Sequence, residues 1–595
     1  MKFPQMRVPY VSRQTVDVFS GYNHNLRIGD GEFYDMKNLT SDDYPVLSAR
    51  GKRGLYTEGQ PGNPVGLIAK DNLCYVDGVD FVINGYRVNM ELSEGPKQLV
   101  SMGAYVIILP DKKWVNTLRT TEDDDKKWGN IEAVFESSTP VTFSMCRESG
   151  EAYGETQMGS DAPNDPNDGD MWVDTSVTPN VLKQWSEKSG MWISIASTYI
   201  KISCAGIDEQ FEVYDGIELS GLSGQLDMGN GDFYEVKELA ALEGAAVVWD
   251  KGKDYITVIG VLSSMRTVHG KVTVSRLMPE MDYVIECGNR LWGCRYGTAR
   301  NGQVVNELYS SKLGDFKNWS CFMQISTDSW GVGVGTDGPF TGAISYLGSP
   351  IFFKENHLHK IHISSTGAHQ VTDTPCQGVQ QGCSDSLTVV GNVVYYKSRN
   401  GVCAYDGSLP VEMSQMFGGV QYENAVGGGI GSKYYISMDD TERKSHLFVY
   451  DAGKGLWHKE DDLRVDAFCK CRGDLYAISG GRIVTMLGSG DQVAEPVEWM
   501  AESGLIGLTT PDMKYVSRLI LRLTLPQGSC MRAFAEYDSS GRWQQLFTIH
   551  GHGTQAFTLP VRPVRCDHVR LRLEGDGPMK LFSITKNIEQ GSDVR

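Results

Sequence analysis

Several things that a chain of 595 residues commonly carries are missing here. Helical periodicity is nearly absent; the best candidate, residues 236–248, is short and interrupted by glycine. No apolar run approaches the ~18 residues of a membrane-spanning helix, and the longest strongly apolar stretch is residues 104–109. The first 14 residues contain Lys2, Arg7 and Arg13 but no apolar segment, so no secretory leader is expected. The 13 cysteines include no CxxC pair, which removes the usual zinc and thioredoxin spacings. Reduced, half-buried thiols of a protein made in a cytosol are expected instead, as at Cys469 and Cys471, which alternate along a strand-like segment.

Basic charge is also short. The chain holds 56 Lys+Arg against 74 Asp+Glu, a net of −18. A surface that grips nucleic acid or an anionic membrane needs clustered cations, so both are disfavoured. Residues 496–595 are the exception. They hold 12 Lys/Arg and 10 Asp/Glu, a net of +2, which leaves −20 for residues 1–495.

Catalytic signatures are missing too. No GxxxxGK[ST] phosphate loop, GxSxG elbow or HExxH motif is present. The expectation is a chain that is not an enzyme and carries no cofactor. His357, His359 and His362 form the one histidine cluster; His357 and His359 share a strand face with Glu355, and they read as surface histidines rather than a metal site.

What is present is strand and turn. The chain has 67 glycines against 22 prolines, and runs of four to seven apolar or alternating residues end in Gly, Asp or Asn, which is an all-β signature. A strand–turn–strand unit recurs at 65–83, 99–116, 283–295, 343–361, 387–406, 425–451 and 465–485. The starts at 343, 387, 425 and 465 have the spacing of one four-stranded propeller blade, about 40–50 residues. A β-propeller of six to eight blades is predicted; an array of plain β-sandwiches is the alternative. Trp457, after Tyr450 and Asp451, has the place of an outer-strand tryptophan packed between blades.

The predicted organisation is an N-terminal arm with the first strands (1–60), the propeller's first part (61–140), two inserted small β-domains (141–200 and 201–276), the propeller's second part (277–490) and a C-terminal β-sandwich (491–595). Trp172, Trp185 and Trp192 are expected to form the core of the first insert, with a face for stacking sugar rings as the functional alternative. The Asp-rich run beside them has Gly169 at the fifth rather than the sixth place of an EF-hand frame and no Glu at the twelfth, so an acidic surface loop is predicted. Arg518, Arg522, Arg570 and Arg572 are expected to project from one sheet face, either solvated or docking an acidic neighbour.

Three stretches carry a resemblance. Asn25, Arg27, Ile28, Asp30, Gly31, Glu32, Asn38 and Leu39, followed by Pro45, Leu47 and Arg50, resemble the opening of phage tail tubular proteins of the nozzle type. Arg290, Leu291 and Trp292, then Tyr309, Ser310, Leu313, Gly314, Asp315, Asn318 and Trp319, are similar to a second pattern of that family, and residues 557–576 to its C-terminal strands. The Trp-rich insert resembles small modules appended to phage tail and fibre proteins.

The resemblance implies a structural virion protein: a ring-forming homo-oligomer, a hexamer, in the phage tail. It would be synthesised in the bacterial cytoplasm, dock an adaptor or portal-proximal ring and tail fibres or tail-tip proteins, and let DNA pass without specific binding. An acidic lumen would repel phosphate, and residues 121–126 are a candidate piece of it. The alternative function is a β-propeller that binds or hydrolyses glycans at a tail tip.

Overall fold

A computed structural model describes residues 11–590, except 119–126, 178–179, 223–225, 228–232, 235–236, 263–264, 299–301, 493–495 and 509–511. The acidic segment 121–126 therefore lies outside the described residues. The regular structure is nearly all β, with one short α-helix among the described residues, Lys237–Ala240.

Seven antiparallel meanders occupy residues 64–89, 98–130, 283–333, 342–375, 388–412, 422–459 and 467–485; six are four-stranded, and the last adds Gly54–Leu55 as its fourth strand and Asp491–Gln492 as a fifth. Each coincides with one of the seven recurring segments. Their first strands lie side by side in a closed circuit: Tyr422–Ile430 against Ala467–Cys471, that against Pro64–Ala69, then Gln98–Met102, Tyr283–Glu286 and Gly342–Tyr346. The 3-10 turn Ser384–Ser386 carries the circuit to Thr388–Val390, which returns to Tyr422–Ile430. The architecture is a seven-bladed β-propeller.

Blades are held by side chains of both neighbours, because a sheet alone cannot bury both its faces. Trp292 fills the space between the third and fourth blades with Phe340, Phe352 and Ile361, and Trp319 packs with Val100, Met102 and Ile107 of the second. Trp457 is buried in the sixth blade and donates from Nε1 to the Met413 carbonyl beside the fifth, 2.8 Å away. At the closure, a Cβ on Gly54 would stand 2.0 Å from the Ser489 carbonyl oxygen and 2.4 Å from Thr485 Oγ1, so this strand fits only as glycine.

Domain boundaries differ from the expected ones in two places. The inserts are nested, not consecutive. Val141–Cys146 pairs with both Tyr199–Ser203 and Arg266–Val268, so residues 133–276 form one two-sheet body around Phe143, Ile202, Phe211, Ile217 and Val258. The Trp-rich sheet is carried in the connection between its strands at 146 and 199. Nor is the C-terminal sandwich separate from the N-terminal arm. Val11–Val16 pairs with Lys580–Gln590, and Glu32–Lys37 with Glu498–Ser503, in one ten-stranded sheet.

The resemblance motifs occupy the joints between these bodies. Asp30 pairs with Lys586 of the C-terminal strand at 2.6 Å, and Asn38 donates to the Glu498 carbonyl at 2.7 Å. Gly31, at φ +92°, passes so close to Val18 that a Cβ would meet its carbonyl oxygen at 2.2 Å. Asn318 holds the insert: its Nδ2 donates to Asp215 at 2.9 Å and its Oδ1 accepts from the Gly216 N–H at 2.8 Å. Arg276 pairs with the same Asp215. Arg290, buried, donates to the carbonyls of Ser311, Ser326 and Asp328.

Candidate functional site

Two places bring chemistry-bearing side chains together: the propeller axis and the outer face of the Trp-rich sheet. Along the axis lie two adjoining cavities of about 750 and 670 Å³, which share Pro96 and Asp385 in their walls. The first presents Glu94, Asp385, Asp439 and Asp466 against a single cation, Arg464. In the second, Asp282 is paired with Arg295 at 2.7 Å beside Tyr283 and Asp385.

Asp385 stands open to the channel yet ringed by protein. This desolvation raises its carboxyl above the ordinary range, against a hydrogen bond to Ser384 that lowers it. Burial likewise raises the Tyr283 hydroxyl. Asp385, pushed up by burial, and Asp282, held by Arg295, thus line the same cavity in different electrostatic settings.

The Trp-rich sheet has strands Thr156–Gly159, Met171–Asp174, Val181–Ser186 and Met191–Ser194. Alternation along the strands, with the register Met171 opposite Gln184 and Gln184 opposite Ile193, sorts its side chains. One face carries Met171, Val173 and Leu182, which pack against Met145, Tyr153, Ile195 and Val261 of the larger insert. The other carries Trp172, Trp185 and Trp192 together with Asp174 and Lys183. The three tryptophans are thus brought together, on the face opposite the module's core rather than in it.

Trp192 stands at the centre, its ring 5.5 Å from both Trp172 and Trp185 and inclined to them at 65° and 61°. Trp172 is buried, with its Nε1 donating to the Gly159 carbonyl at 3.0 Å, while Trp185 and Trp192 stay partly open. Lys183 pairs with Asp174 at 2.7 Å and lies over the Trp172 ring at 5.0 Å. Hydrogen bonds from Lys183 and Ser176 lower the Asp174 carboxyl to about 2. The acidic run alongside is exposed at Asp161, Asp165 and Asp168, as the surface-loop reading expects.

The four arginines of the C-terminal region do not form one face. Arg570 and Arg572 both grip Glu502, at 3.0 and 2.7 Å, and stack over Tyr34 and Trp543. Arg518 and Arg522 lie on the other half of the sheet, opposite Asn587 and Ser583. The long strand Lys514–Tyr537 explains the split, because it pairs with Lys580–Gln590 along its first half and with Val569–Asp576 along its second. Of the histidines, His359 is buried, bonded to Thr336 Oγ1 at 2.9 Å and lowered to about 4 by burial, while His357 meets Asp373 at 2.9 Å. The expected surface cluster is therefore partly interior.

The axial carboxylates went unnoticed in the sequence. They come from separate blades and leave no local spacing to read; only the common position of blade-leading strands marks them.

No protein-family profile matches the chain, and no curated protein does. Among solved structures it is similar to an exo-β-1,3-galactanase from Phanerochaete chrysosporium with galactose, at 8% identity and TM-score 0.20, over 51% of this chain and 94% of that one. An engineered GH43 glycoside hydrolase aligns at 9% and 0.20, over 52% and 98%. A Trypanosoma rangeli sialidase mutant with trans-sialidase activity aligns at 9% and 0.17, over 98% and 96%. TM-scores this low carry no mechanism. The expectation of a chain that is not an enzyme is corrected to this extent: a galactanase and a glycoside hydrolase stand among the solved structures it aligns with. The expectation rested on missing motifs, and carboxylates spread over separate blades produce none.

Proposed function

We propose that the protein is a glycan-engaging β-propeller, in which the outer face of the Trp-rich sheet contacts saccharide and the axial channel around Asp385 and Asp282 is where a glycan would be held for hydrolysis. The observation that carries this reading is the separation of the two sheet faces: the aliphatic core takes one, and three tryptophans share the other with an ion pair. Indole rings offer apolar faces and a polar edge, a combination suited to the apolar faces and hydroxyl rims of sugar rings. Binding of the full chain to a glycan array tests it. Signal that Trp185→Ala abolishes at an unchanged melting temperature supports the reading; an array that stays dark, together with no release of sugar from any glycan offered, ends it.

A second reading, a ring-forming subunit of a phage tail with DNA passing through the assembly, draws support from the resemblance motifs. Their residues serve as joints: Asp30 to Lys586, Asn38 to Glu498 and Asn318 to Asp215. The hexamer, its adaptor and fibre partners and its place in the virion belong to this reading. A mass measurement on the purified chain and its detection in particles decide it; a monodisperse monomer absent from virions removes it.

A further inference from the structure

On the Trp-rich face a carboxylate and an indole hold a cation at one place, and a second carboxylate and indole lie near each other at the next. At the first place, Asp174 and Trp172 lie on one strand and Lys183 sits opposite Trp172, its ammonium 2.7 Å from the Asp174 carboxylate and 5.0 Å from the indole centre. Carboxylate and aromatic ring together hold a cation there.

The register brings a second carboxylate to the end of the same face. Met171 is opposite Gln184, so Asp170 falls opposite Trp185; the Trp185 N–H donates to the Asp170 carbonyl at 2.9 Å, and Trp185 is in turn opposite Trp192. Side chains at 170, 172 and 174 point to the same face. Asp170, next before the strand Met171–Asp174, therefore falls opposite Trp185 at the edge of the tryptophan face. Its carboxylate accepts from the Asn167 N–H at 2.8 Å and meets no cation among the described residues. Trp185 and Trp192 remain partly open. The surroundings add to the attraction: residues 154–196 hold seven carboxylates and two lysines, a net of −5.

We propose that Asp170, Trp185 and Trp192 form a receptor for the ammonium group of an amino sugar, with the sugar ring against the indoles and the amine taking the part that Lys183 takes beside Asp174 and Trp172. This deepens the glycan-binding reading and rests on it. It names the class, glycans with free amino groups, and disfavours sialylated, sulfated or phosphorylated ones, whose anions would enter a negative field. A cation over an indole with a carboxylate within reach is favourable where water is partly excluded.

The test is calorimetric titration of the full chain with a glucosamine tetramer and with its N-acetylated counterpart, at about pH 6, below the ~7.7 of an ordinary α-amino group. N-acetylation removes the charge and keeps the ring. The glucosamine tetramer should bind, with roughly tenfold weaker binding on N-acetylation and in Asp170→Asn, and weakening as salt rises. Asparagine retains an acceptor for the Asn167 N–H. Should it nevertheless disturb the turn, Trp185→Phe, which keeps a ring, should hold part of the affinity that Trp185→Ala loses. Equal binding of both tetramers, unchanged in Asp170→Asn, overturns the amine receptor and leaves the glycan platform standing. Failure of every saccharide to bind overturns both. A lysine-rich peptide that binds as tightly as the glucosamine tetramer and depends equally on Asp170 also overturns the proposal, by assigning the notch to a protein amine.

Discussion

Replacing Asn318 with alanine should undock the insert from the propeller while leaving both folded. Asn318 is buried and makes three bonds at this joint: to Asp215 at 2.9 Å, to Asp315 at 2.5 Å and from the Gly216 N–H at 2.8 Å. Bonds to a carboxylate contribute about 1.5–3 kcal/mol each and a neutral one about 1, while a buried donor left without an acceptor costs about 1–3. Groups sharing one network do not add, so a loss of about 3–5 kcal/mol is expected. Nothing larger can enter to compensate, since a Cβ on Gly216 would already stand 2.5 Å from the backbone of Ser320 and Cys321. Hydrogen exchange at the Gly216 amide reads the change directly. It should accelerate by about 100-fold or more, at roughly 1.4 kcal/mol per tenfold, with exchange in the sixth blade unchanged. Asn318→Asp should be worse at neutral pH, because a third carboxylate joins Asp215 and Asp315. Repulsion raises the folded-state pKa of the introduced carboxyl above its unfolded value, so that deficit should be small near about pH 4 and grow as pH rises. Acceleration below about fivefold in Asn318→Ala, or a deficit in Asn318→Asp that does not vary with pH, would refute the assignment of Asn318 as the joint.

Arg53 is buried between Glu460 at 2.8 Å and Asp461 at 2.7 Å, so Arg53→Met leaves the buried Glu460 and the half-buried Asp461 with Arg50 alone and should cost about 3–5 kcal/mol, measured as a fall in the urea midpoint. Burial would raise the Asp461 carboxyl, but Arg53 and Arg50 outweigh it and hold it below its ordinary value. The stabilisation is therefore present above about pH 4 and lost as pH falls through the lower folded value; Arg53→Met should flatten that acid limb, and an unchanged limb speaks against the pair. Gly54→Ala should open the ring at its closure, seen as faster proteolysis between the arm and the first blade; wild-type resistance would show that the Ser489 carbonyl can retreat.

Periodicity made the propeller legible because every blade repeats one local pattern of strand, turn and strand, and each of the seven segments read from the sequence became a blade. The closure was not legible. Gly54 and Leu55 form too short a strand to show alternation, and their partners Val484 and Thr485 lie hundreds of residues away. For the same reason the N-terminal arm read as a separate piece, although Arg13 pairs opposite Asn587. At the candidate site, the tryptophans were visible as residue types and alternation placed them on strands. Which face was core depended on Met145 and Val261, contributed by the surrounding insert. The arginine face failed because one long strand changes partners along its length, and neither end of that strand announces the switch.

Closure by the N-terminal strand also has a consequence in time. Residues 54–55 leave the ribosome early, yet their partners at 482–485 follow about 430 residues later, and the strand Val11–Val16 waits for Lys580–Gln590. At roughly 5–20 residues per second, the arm spends on the order of half a minute to two minutes with its backbone unpaired. Blades one to six have local partners and can form as they emerge, but the ring cannot lock until residues 482–485 have followed. Until residues 580–590 arrive, the strand Val11–Val16 keeps an open edge, and an open strand edge is a place where another chain can pair or a protease can cut.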